Sequence, residues 1–245
     1  YGLEQPADGY TLQVTSAPSA DPKASEWFKY DDWEAVGMGC LDIRLVAAQK
    51  DSQFSNLEEL AEYAKDNPGE VKIGVPSWPM AAIVQWEKEA GIDLNPVVYG
   101  SDAKQMKGLV SGETQLTWTD PGEAQTYLEA GEISILGITA SEESNYEKYF
   151  PEASTFGDMG WTKTTEMSGA FRGIWVRQEV PNWKTNKLRY LFTRVVNTDT
   201  FNNYLKTNRL DIRTGGFKIG KDYEDYHQMR RNLYAEAYEA AESES

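Results

Sequence analysis

The sequence predicts an α/β protein built around parallel β-sheet. Short apolar runs alternate with segments of helical apolar spacing from Val71 to Thr139, which is the pattern of strands joined by right-handed crossover helices. The chain has 245 residues, of which 40% are hydrophobic, enough for the core of one large or two modest domains. Its single cysteine, Cys40, excludes an internal disulfide framework and a zinc site made of several cysteines.

The individual elements follow from apolar periodicity and from turn residues. Strands are predicted at residues 10–16, 40–48, 71–75, 95–99, 114–119, 133–138 and 170–177. Helices are predicted at residues 56–66, 103–109, 123–130, 181–197, 198–205 and 223–242. A further helix is predicted to follow a cap at Ser77, with Pro79 in its first turn, and to end at Gly91. The polar segment 141–159 is predicted to be a loop.

Charge and motif content exclude several classes of function. The chain carries 39 acidic and 24 basic residues, a net charge of −15, which argues against a nucleic-acid surface. It does not exclude a small anionic ligand, because charges more than about 8 Å away are largely screened in physiological salt. No apolar run long enough to span a membrane is present, and no G-x-S-x-G, Walker or H-E-x-x-H motif occurs. We therefore predict no catalytic residue, no metal and no cofactor.

The stretch Val71–Gly91 is the strongest local signal for a binding site. A buried-strand pattern ends at Pro76, and Ser77 follows at the position of a helix N-cap, with Pro79 in the first turn. Backbone N–H groups at a helix N-terminus attract an anion. The alternative is a cap that binds nothing, as at most strand–helix joints.

Ordered motifs along the chain resemble those of the tripartite tricarboxylate transporter substrate-binding proteins, the Bug or TctC family. They are Asp8-Gly9-Tyr10-Thr11-Leu12, Asn56-Leu57 through Asn67-Pro68-Gly69, Val98-Tyr99-Gly100, Gly112-Glu113, Trp118-Thr119-Asp120-Pro121, Ala130-Gly131-Glu132, Leu136-Gly137-Ile138-Thr139, Phe150-Pro151-Glu152 and Phe171-Arg172-Gly173. Each motif is weak alone, but their common order covers nearly the whole chain.

The resemblance implies a two-lobed, type II periplasmic-binding-protein-like fold, each lobe a mostly parallel sheet flanked by helices. Residues 1–49 and 166–245 would form lobe 1 and residues 50–165 lobe 2, with hinges near residues 46–48 and 162–168. It further implies a small organic carboxylate ligand, held largely through backbone amides and ordered water. Permease subunits would be the partners and a monomer the resting form, in a periplasmic or extracellular, membrane-associated location.

Two departures from the family pattern affect the expected site. The opening strand and glycine-rich loop of the family are not found before Tyr1, so we expect either a longer natural protein or a site without one wall. At Ser77-Trp78-Pro79-Met80 the family usually has smaller residues. A tryptophan and a proline there predict a narrower cleft, or a flatter, aromatic ligand.

The candidate ligand contacts lie at predicted strand ends and in the family motifs, and each has a structural alternative. Tyr99 and Ser101 would donate hydrogen bonds or only form a turn, and Thr119 is a better contact than Asp120, which is expected to cap the next helix. Arg172 would pair with a carboxylate or form a salt bridge between lobes, while Trp78 and Phe171 would stack on a ligand or pack in the core. The full set is Ser16, Ser19, Ser77, Trp78, Tyr99, Ser101, Thr119, Asp120, Phe171 and Arg172.

These inferences converge on an extracytoplasmic solute receptor for a di-, tri- or aromatic carboxylate, which it delivers to a tripartite tricarboxylate-type secondary transporter. The alternative is the effector-binding domain of a transcriptional regulator with the same fold. A secretion signal in the full-length sequence would favour the receptor, and a helix-turn-helix would favour the regulator. An enzyme ranks third, because no catalytic motif supports it.

Overall fold

The computed structural model describes residues 2–76, 80–140, 148–208, 210 and 217–243. The strands in these residues are β1 (Gln13–Ser16), β2 (Trp33–Leu41), β3 (Leu45–Gln49), β4 (Lys72–Pro76), β5 (Asn95–Tyr99), β6 (Leu116–Thr119), β7 (Ile133–Ile138), β8 (Ser154–Thr155), β9 (Phe171–Arg177) and β10 (Lys218–Ile219). The α-helices are α1 (Leu57–Asp66), α2 (Met80–Ala90), α3 (Asp102–Val110), α4 (Pro121–Glu129), α5 (Thr162–Met167), α6 (Asn182–Val196), α7 (Asp199–Thr207) and α8 (Lys221–Ser243).

The chain divides into two compact units. The first comprises Tyr1–Asp42 and Ala170–Glu236, and the second Ile43–Gly169 and Ala237–Ser245. Strand β3 falls within the residues expected for lobe 1, but it belongs to the sheet of the second unit, because both of its edges pair there with β6 and β7. The lobe boundaries inferred from the resemblance stay a prediction.

The first unit contains a four-stranded sheet in the order β1-β9-β2-β10, and all of its pairs are antiparallel. The expectation of a mostly parallel sheet is therefore wrong for this unit. In place of the single strand predicted at residues 40–48, the structure has a long strand β2 that ends at Leu41 and a separate strand β3 that begins at Leu45. Register shifts at Ala35–Gly37 and at Met38–Cys40 interrupt the pairing of β2 with β9, and such bulges blur the alternation that marks a strand.

The second unit confirms the parallel pattern predicted for residues 71–139. Its sheet has the order β5-β4-β6-β3-β7-β8; β4 is parallel to β5 and β6, and β7 is parallel to β8. Only β3 runs the other way, antiparallel to both β6 and β7. Leu45, at the start of β3, lies opposite Thr119 and Ile138 at the ends of those strands. The residue before β3 therefore reaches the edge where the parallel strands end.

An aromatic core fixes the second sheet against its helices. Trp86 of α2 contacts Trp118 of β6 and Phe156, with ring centroids 5.7 and 5.1 Å apart. Trp161, just before α5, packs against Phe156 at 4.9 Å. Trp118 is completely buried, so it is a core residue. Strand β8 and helix α5 were not predicted, because they are too short for a clear periodic signal. None of the helices in the described residues is long and apolar enough to cross a membrane.

Candidate functional site

The carboxyl ends of β5 and β6 lead directly into helices α3 and α4 in the second unit. Ser101 caps α3, accepting a hydrogen bond from the Lys104 backbone N–H at 3.4 Å. Asp120 caps α4, and its Oδ1 accepts from the backbone N–H groups of Gly122 and Glu123 at 2.9 and 3.0 Å. The helix N-termini carry partial positive charge. The strand-end edge, defined by Ser101, Thr119 and Asp120, thus places three of the sequence candidates beside two helix N-termini.

Arg44 brings a full positive charge to this strand-end edge. Thr139, just after β7, fixes its backbone: Arg44 N–H donates to Thr139 Oγ1 at 2.8 Å, and Thr139 N–H donates to the Arg44 carbonyl at 2.9 Å. The Arg44 side chain is only 9% exposed, and its Nη1 lies 3.7 Å from Asp120 Oδ2. That separation is too long for a hydrogen bond, and neither Nε nor Nη1 has a hydrogen-bond partner. A buried guanidinium with free donors is suited to hold a carboxylate.

Two further polar groups at the same edge have no hydrogen-bond partner. They are Thr119 Oγ1, on a fully buried residue, and Asp102 Oδ1. Most buried polar atoms in native proteins are hydrogen-bonded, so three such side chains close together in the fold are unusual. The strand-end edge therefore offers donors at Arg44 and Thr119 and an acceptor at Asp102.

The acidic residues around Arg44 influence one another. Burial raises the pKa of Asp102; the Arg44 charge opposes this shift and Asp120 adds to it. Burial also raises the pKa of Glu123, and Asp120 and Asp102 raise it further. Asp102, which interacts with the Arg44 charge, therefore gains a proton more readily than a fully exposed aspartate does. Protonation there would lower the repulsion that an incoming carboxylate meets.

Tyr99 ends β5, but its side chain points away from this edge. Its ring lies against Gly108, where a Cβ would clash with the hydroxyl, and against Gly74. Gly108 is in the last turn of α3, at the opposite end of that helix from Ser101. Burial raises the pKa of Tyr99, and the nearby Glu113 carboxylate raises it further.

In the first unit, Ser16 and Arg172 are direct neighbours in the sheet. Ser16 at the end of β1 is in register with Arg172 of β9, which is itself in register with Cys40 of β2. Arg172 is exposed, and its Nη1 donates to the Phe171 carbonyl at 3.1 Å. Cys40 is half-buried, and burial followed by nearby Asp42 raises its pKa.

Ser19 and Phe171 are parts of the interior of the first unit. Ser19 Oγ donates to the Ser16 carbonyl at 2.7 Å and lies 2.8 Å from His227 Nε2, while His227 Nδ1 lies 2.6 Å from the Tyr30 hydroxyl. Phe171 is fully buried and packs edge-on against His227 at 5.5 Å. Burial lowers the pKa of His227 to about 3, so the ring is neutral at physiological pH.

Two of the sequence candidates, Ser77 and Trp78, lie outside the described residues. Sequence reasoning missed Arg44, Asp102 and Thr139. The available signal for Arg44 was a cation between two apolar residues, Ile43 and Leu45, in a segment predicted as one continuous strand. A buried charge needs a partner or a role, and that rule would have singled it out.

Superposition on solved structures identifies the fold class of this protein. A TctC solute-binding protein from Polaromonas superposes with a TM-score of 0.75 at 15% identity, over 96% of this chain and 81% of that one. An R. palustris protein solved with adipate gives 0.75 at 18% identity, over 98% and 81%. MatC from Rhodopseudomonas palustris, solved with malate, gives 0.66 at 18% identity, over 96% and 79%. The fold is therefore the two-lobed, type II fold of periplasmic binding proteins.

The family follows from the sequence itself. Residues 4–221 match the tripartite tricarboxylate transporter family receptor, TctC, and the chain belongs to that family. It is 27% identical over 162 residues to a UPF0065 protein of Bordetella pertussis, covering 62% of this chain and 49% of that protein. A UPF0065 protein of Cupriavidus necator is 24% identical over 160 residues, covering 62% and 47%. The chain thus spans about half the length of the curated relatives it matches.

Proposed function

We propose that this protein is an extracytoplasmic receptor that binds a small organic carboxylate, without converting it, and delivers it to the permease of a tripartite tricarboxylate-type transporter. Family membership supports the receptor class, and two relatives of the same fold were solved with adipate and with malate. The proposed location is the periplasm or the outer face of a membrane.

The observation that carries the carboxylate assignment is Arg44. Its guanidinium is buried with two nitrogens that make no hydrogen bond, beside the N-termini of α3 and α4. A carboxylate placed there would accept hydrogen bonds from Arg44 and Thr119, replacing interactions that the folded chain leaves unmade. We propose Arg44, Ser101, Thr119 and Asp120 as the ligand-binding residues of this unit.

Ser16 and Arg172 are the proposed contacts of the first unit. They are neighbours in one sheet, and Arg172 is exposed, so its guanidinium is accessible to a carboxylate.

A thermal-shift screen tests the function. The panel is adipate, malate, succinate, citrate, glutamate, nicotinate and terephthalate. Saturation at about 100 times the dissociation constant stabilises a protein by roughly 2.7 kcal/mol, or about 5–10 °C for a domain of this size. We expect such a shift with at least one carboxylate and none with its uncharged amide.

Arg44→Met is the matched variant for this screen, because it keeps side-chain volume and removes the charge. We expect it to melt cooperatively and to lose the shift. An equal shift in Arg44→Met would remove Arg44 from the site but leave the receptor function. No shift with any carboxylate, or turnover of one of them, would contradict the proposed function.

A further inference from the structure

Helix α6 of the first unit exposes an unusual number of large apolar side chains. The exposed fractions are 68% for Trp183, 53% for Tyr190, 45% for Leu191 and 54% for Val195. Their spacing of seven, one and four residues places them on one side of the helix. The opposite side anchors the helix, since Leu188 and Phe192 pack against the buried cluster Val36, Val176 and Val180.

The same outer side of α6 is basic. The helix carries four basic residues and no acidic one, in a chain that has 39 acidic and 24 basic residues overall. Arg189 is turned inward, where it pairs with Glu34 at 2.9 Å. The other three, Lys184, Lys187 and Arg194, lie among the exposed rings.

These cations contact the rings directly. Lys187 Nζ lies 5.3 Å from the Tyr190 ring centroid, and the Arg194 guanidinium 6.0 Å from the same centroid. Lys184 Nζ lies 5.5 Å from the Trp183 centroid and 5.7 Å from that of Tyr10, which is 88% exposed. Together they form one surface, called here the α6 stripe: Tyr10, Trp183, Lys184, Lys187, Tyr190, Leu191, Arg194 and Val195.

Two acidic residues near the α6 stripe, Asp8 and Glu179, have carboxylates whose hydrogen bonds go to groups other than its cations. The Asp8 side chain accepts a hydrogen bond from the Tyr10 backbone N–H, and Lys184 Nζ donates to the Asp8 carbonyl rather than to its carboxylate. Glu179 is paired with Arg177 at 2.5 Å. The α6 stripe is therefore a local basic surface on an acidic protein.

We propose that the α6 stripe docks on a membrane surface rich in anionic phospholipid. Trp and Tyr prefer the headgroup level of a bilayer, and Lys and Arg on the same helix reach the lipid phosphates. An acidic protein loop would use the three cations, but it would not need four exposed apolar side chains beside them. This inference concerns a different surface from the ligand site and does not depend on the ligand.

Vesicle co-sedimentation tests the proposal. Phosphatidylcholine vesicles with about one-third phosphatidylserine are expected to pellet the protein, pure phosphatidylcholine vesicles are not, and salt is expected to release it. Each basic residue near such a surface contributes about fivefold in affinity. Lys187→Gln with Arg194→Gln should therefore weaken binding about 25-fold. Lys65→Gln with Lys107→Gln, the same charge change on exposed helix positions of the second unit, should leave binding unchanged.

Tryptophan fluorescence distinguishes insertion from a purely electrostatic contact. Anionic vesicles should shift the emission to the blue, and Trp183→Phe should abolish the shift. Trp27→Phe, which removes a second tryptophan that is 52% exposed, should keep it. Equal binding to neutral and anionic vesicles would overturn the proposal. So would binding to soluble polyglutamate as tight as to anionic vesicles, because the partner would then be an acidic polypeptide.

Discussion

Buried polar groups occur in both units of this protein, and the two sets differ in how they are satisfied. In the first unit, Ser19, His227 and Tyr30 form a continuous chain, with contacts of 2.8 and 2.6 Å. In the second unit, Arg44, Asp102 and Thr119 each keep at least one buried polar atom without a hydrogen bond. Both sets combine charged or titratable groups with hydroxyls, and both depend on residues far apart in the sequence.

The difference indicates which set is structural and which is available for a ligand. A fully satisfied interior network fixes one packing arrangement, and breaking it costs free energy. Unsatisfied groups at a strand end already carry that cost in the folded state, and a ligand can relieve it. The residue types of the Ser19–His227–Tyr30 network resemble a catalytic arrangement, but these side chains stabilise the core of the first unit. We therefore propose the strand-end edge with Arg44 as the ligand site.

The largest effect is expected from breaking the Ser19–His227–Tyr30 hydrogen-bonded network. His227→Ala should lower the free energy of unfolding by about 3–5 kcal/mol, because it removes a ring packed between Phe28 and Trp175 and leaves two hydroxyls without their partner. Urea denaturation measures this loss. A decrease in the free energy of unfolding of less than about 1 kcal/mol would show that this network does not stabilise the fold.

Removing the Arg44 charge at the strand-end edge should lower ligand affinity rather than stability. Arg44→Met should weaken carboxylate affinity about 100-fold, near 2.7 kcal/mol, as expected when a buried charge–charge contact is lost. Titration calorimetry with a ligand from the thermal screen measures it. Arg44→Lys is the control and should recover part of the affinity. If His227→Ala, still folded, lost as much affinity as Arg44→Met, the two regions would not differ in role.

The pH dependence of stability distinguishes His227 in the first unit from Glu87 of α2, a carboxyl group of the second unit. The pKa of His227 is about 3 in the folded protein and about 6.5 when exposed. Between these values the unfolded chain binds the extra proton, so His227 makes stability fall with decreasing pH, by about 1.4 kcal/mol per unit. Glu87 acts in the opposite direction, because burial raises its pKa to about 7. It favours the folded state as pH falls toward 4.5.

The test is to measure the free energy of unfolding of the wild type and of each variant as a function of pH. Unfolding free energies of the wild type and His227→Asn should diverge in slope below pH 6.5, with the flatter acid limb in the variant. The same comparison with Glu87→Gln should change the slope in the opposite sense between pH 7 and 4.5. Parallel curves for wild type and His227→Asn would mean that the histidine titrates normally.

The free acceptor at Asp102 should affect the choice of ligand. A carboxylate with a neighbouring hydroxyl, such as malate, can donate to Asp102 Oδ1 while its carboxylate faces Arg44, whereas succinate cannot. We expect malate to bind about tenfold more tightly than succinate, near 1.4 kcal/mol. Asp102→Ala should remove this ratio while keeping succinate affinity. An unchanged malate-to-succinate ratio in Asp102→Ala would place that acceptor outside the site.

The smallest effect is expected for Thr119→Val, with Thr15→Val as its matched comparison. Thr15 Oγ1 accepts from Trp175 Nε1 at 2.9 Å and lies 3.0 Å from the Tyr223 hydroxyl, whereas Thr119 Oγ1 has no partner. Thr15→Val should destabilise by about 1–2 kcal/mol, and Thr119→Val should be neutral or slightly stabilising. Chemical denaturation of both variants measures these changes in the free energy of unfolding. Equal decreases in the two variants would mean that Thr119 Oγ1 is hydrogen-bonded in solution.

Much of the second unit could be predicted from local sequence. The alternation from Val71 to Thr139 fixes the parallel strands, and the strands at 95–99 and 133–138 have the predicted bounds. The helix caps were also local signals. Asn56 accepts from the Glu59 backbone N–H at 2.8 Å, and Asp120 caps α4 as expected. These features depend on neighbours within about four residues, which a single sequence displays directly.

The tertiary structure alone decided the direction of β3 and the two polar regions that follow from long-range contacts. Arg44 reaches the strand-end edge only because β3 inserts antiparallel between β6 and β7, and Thr139 fixes it across 95 positions. His227 meets Ser19 across 208 positions. Apolar periodicity reports which side of an element is buried, but not which distant element covers it. The sequence therefore determined the layers and their caps, and the packing of those layers decided which polar groups are satisfied and which remain open to a ligand.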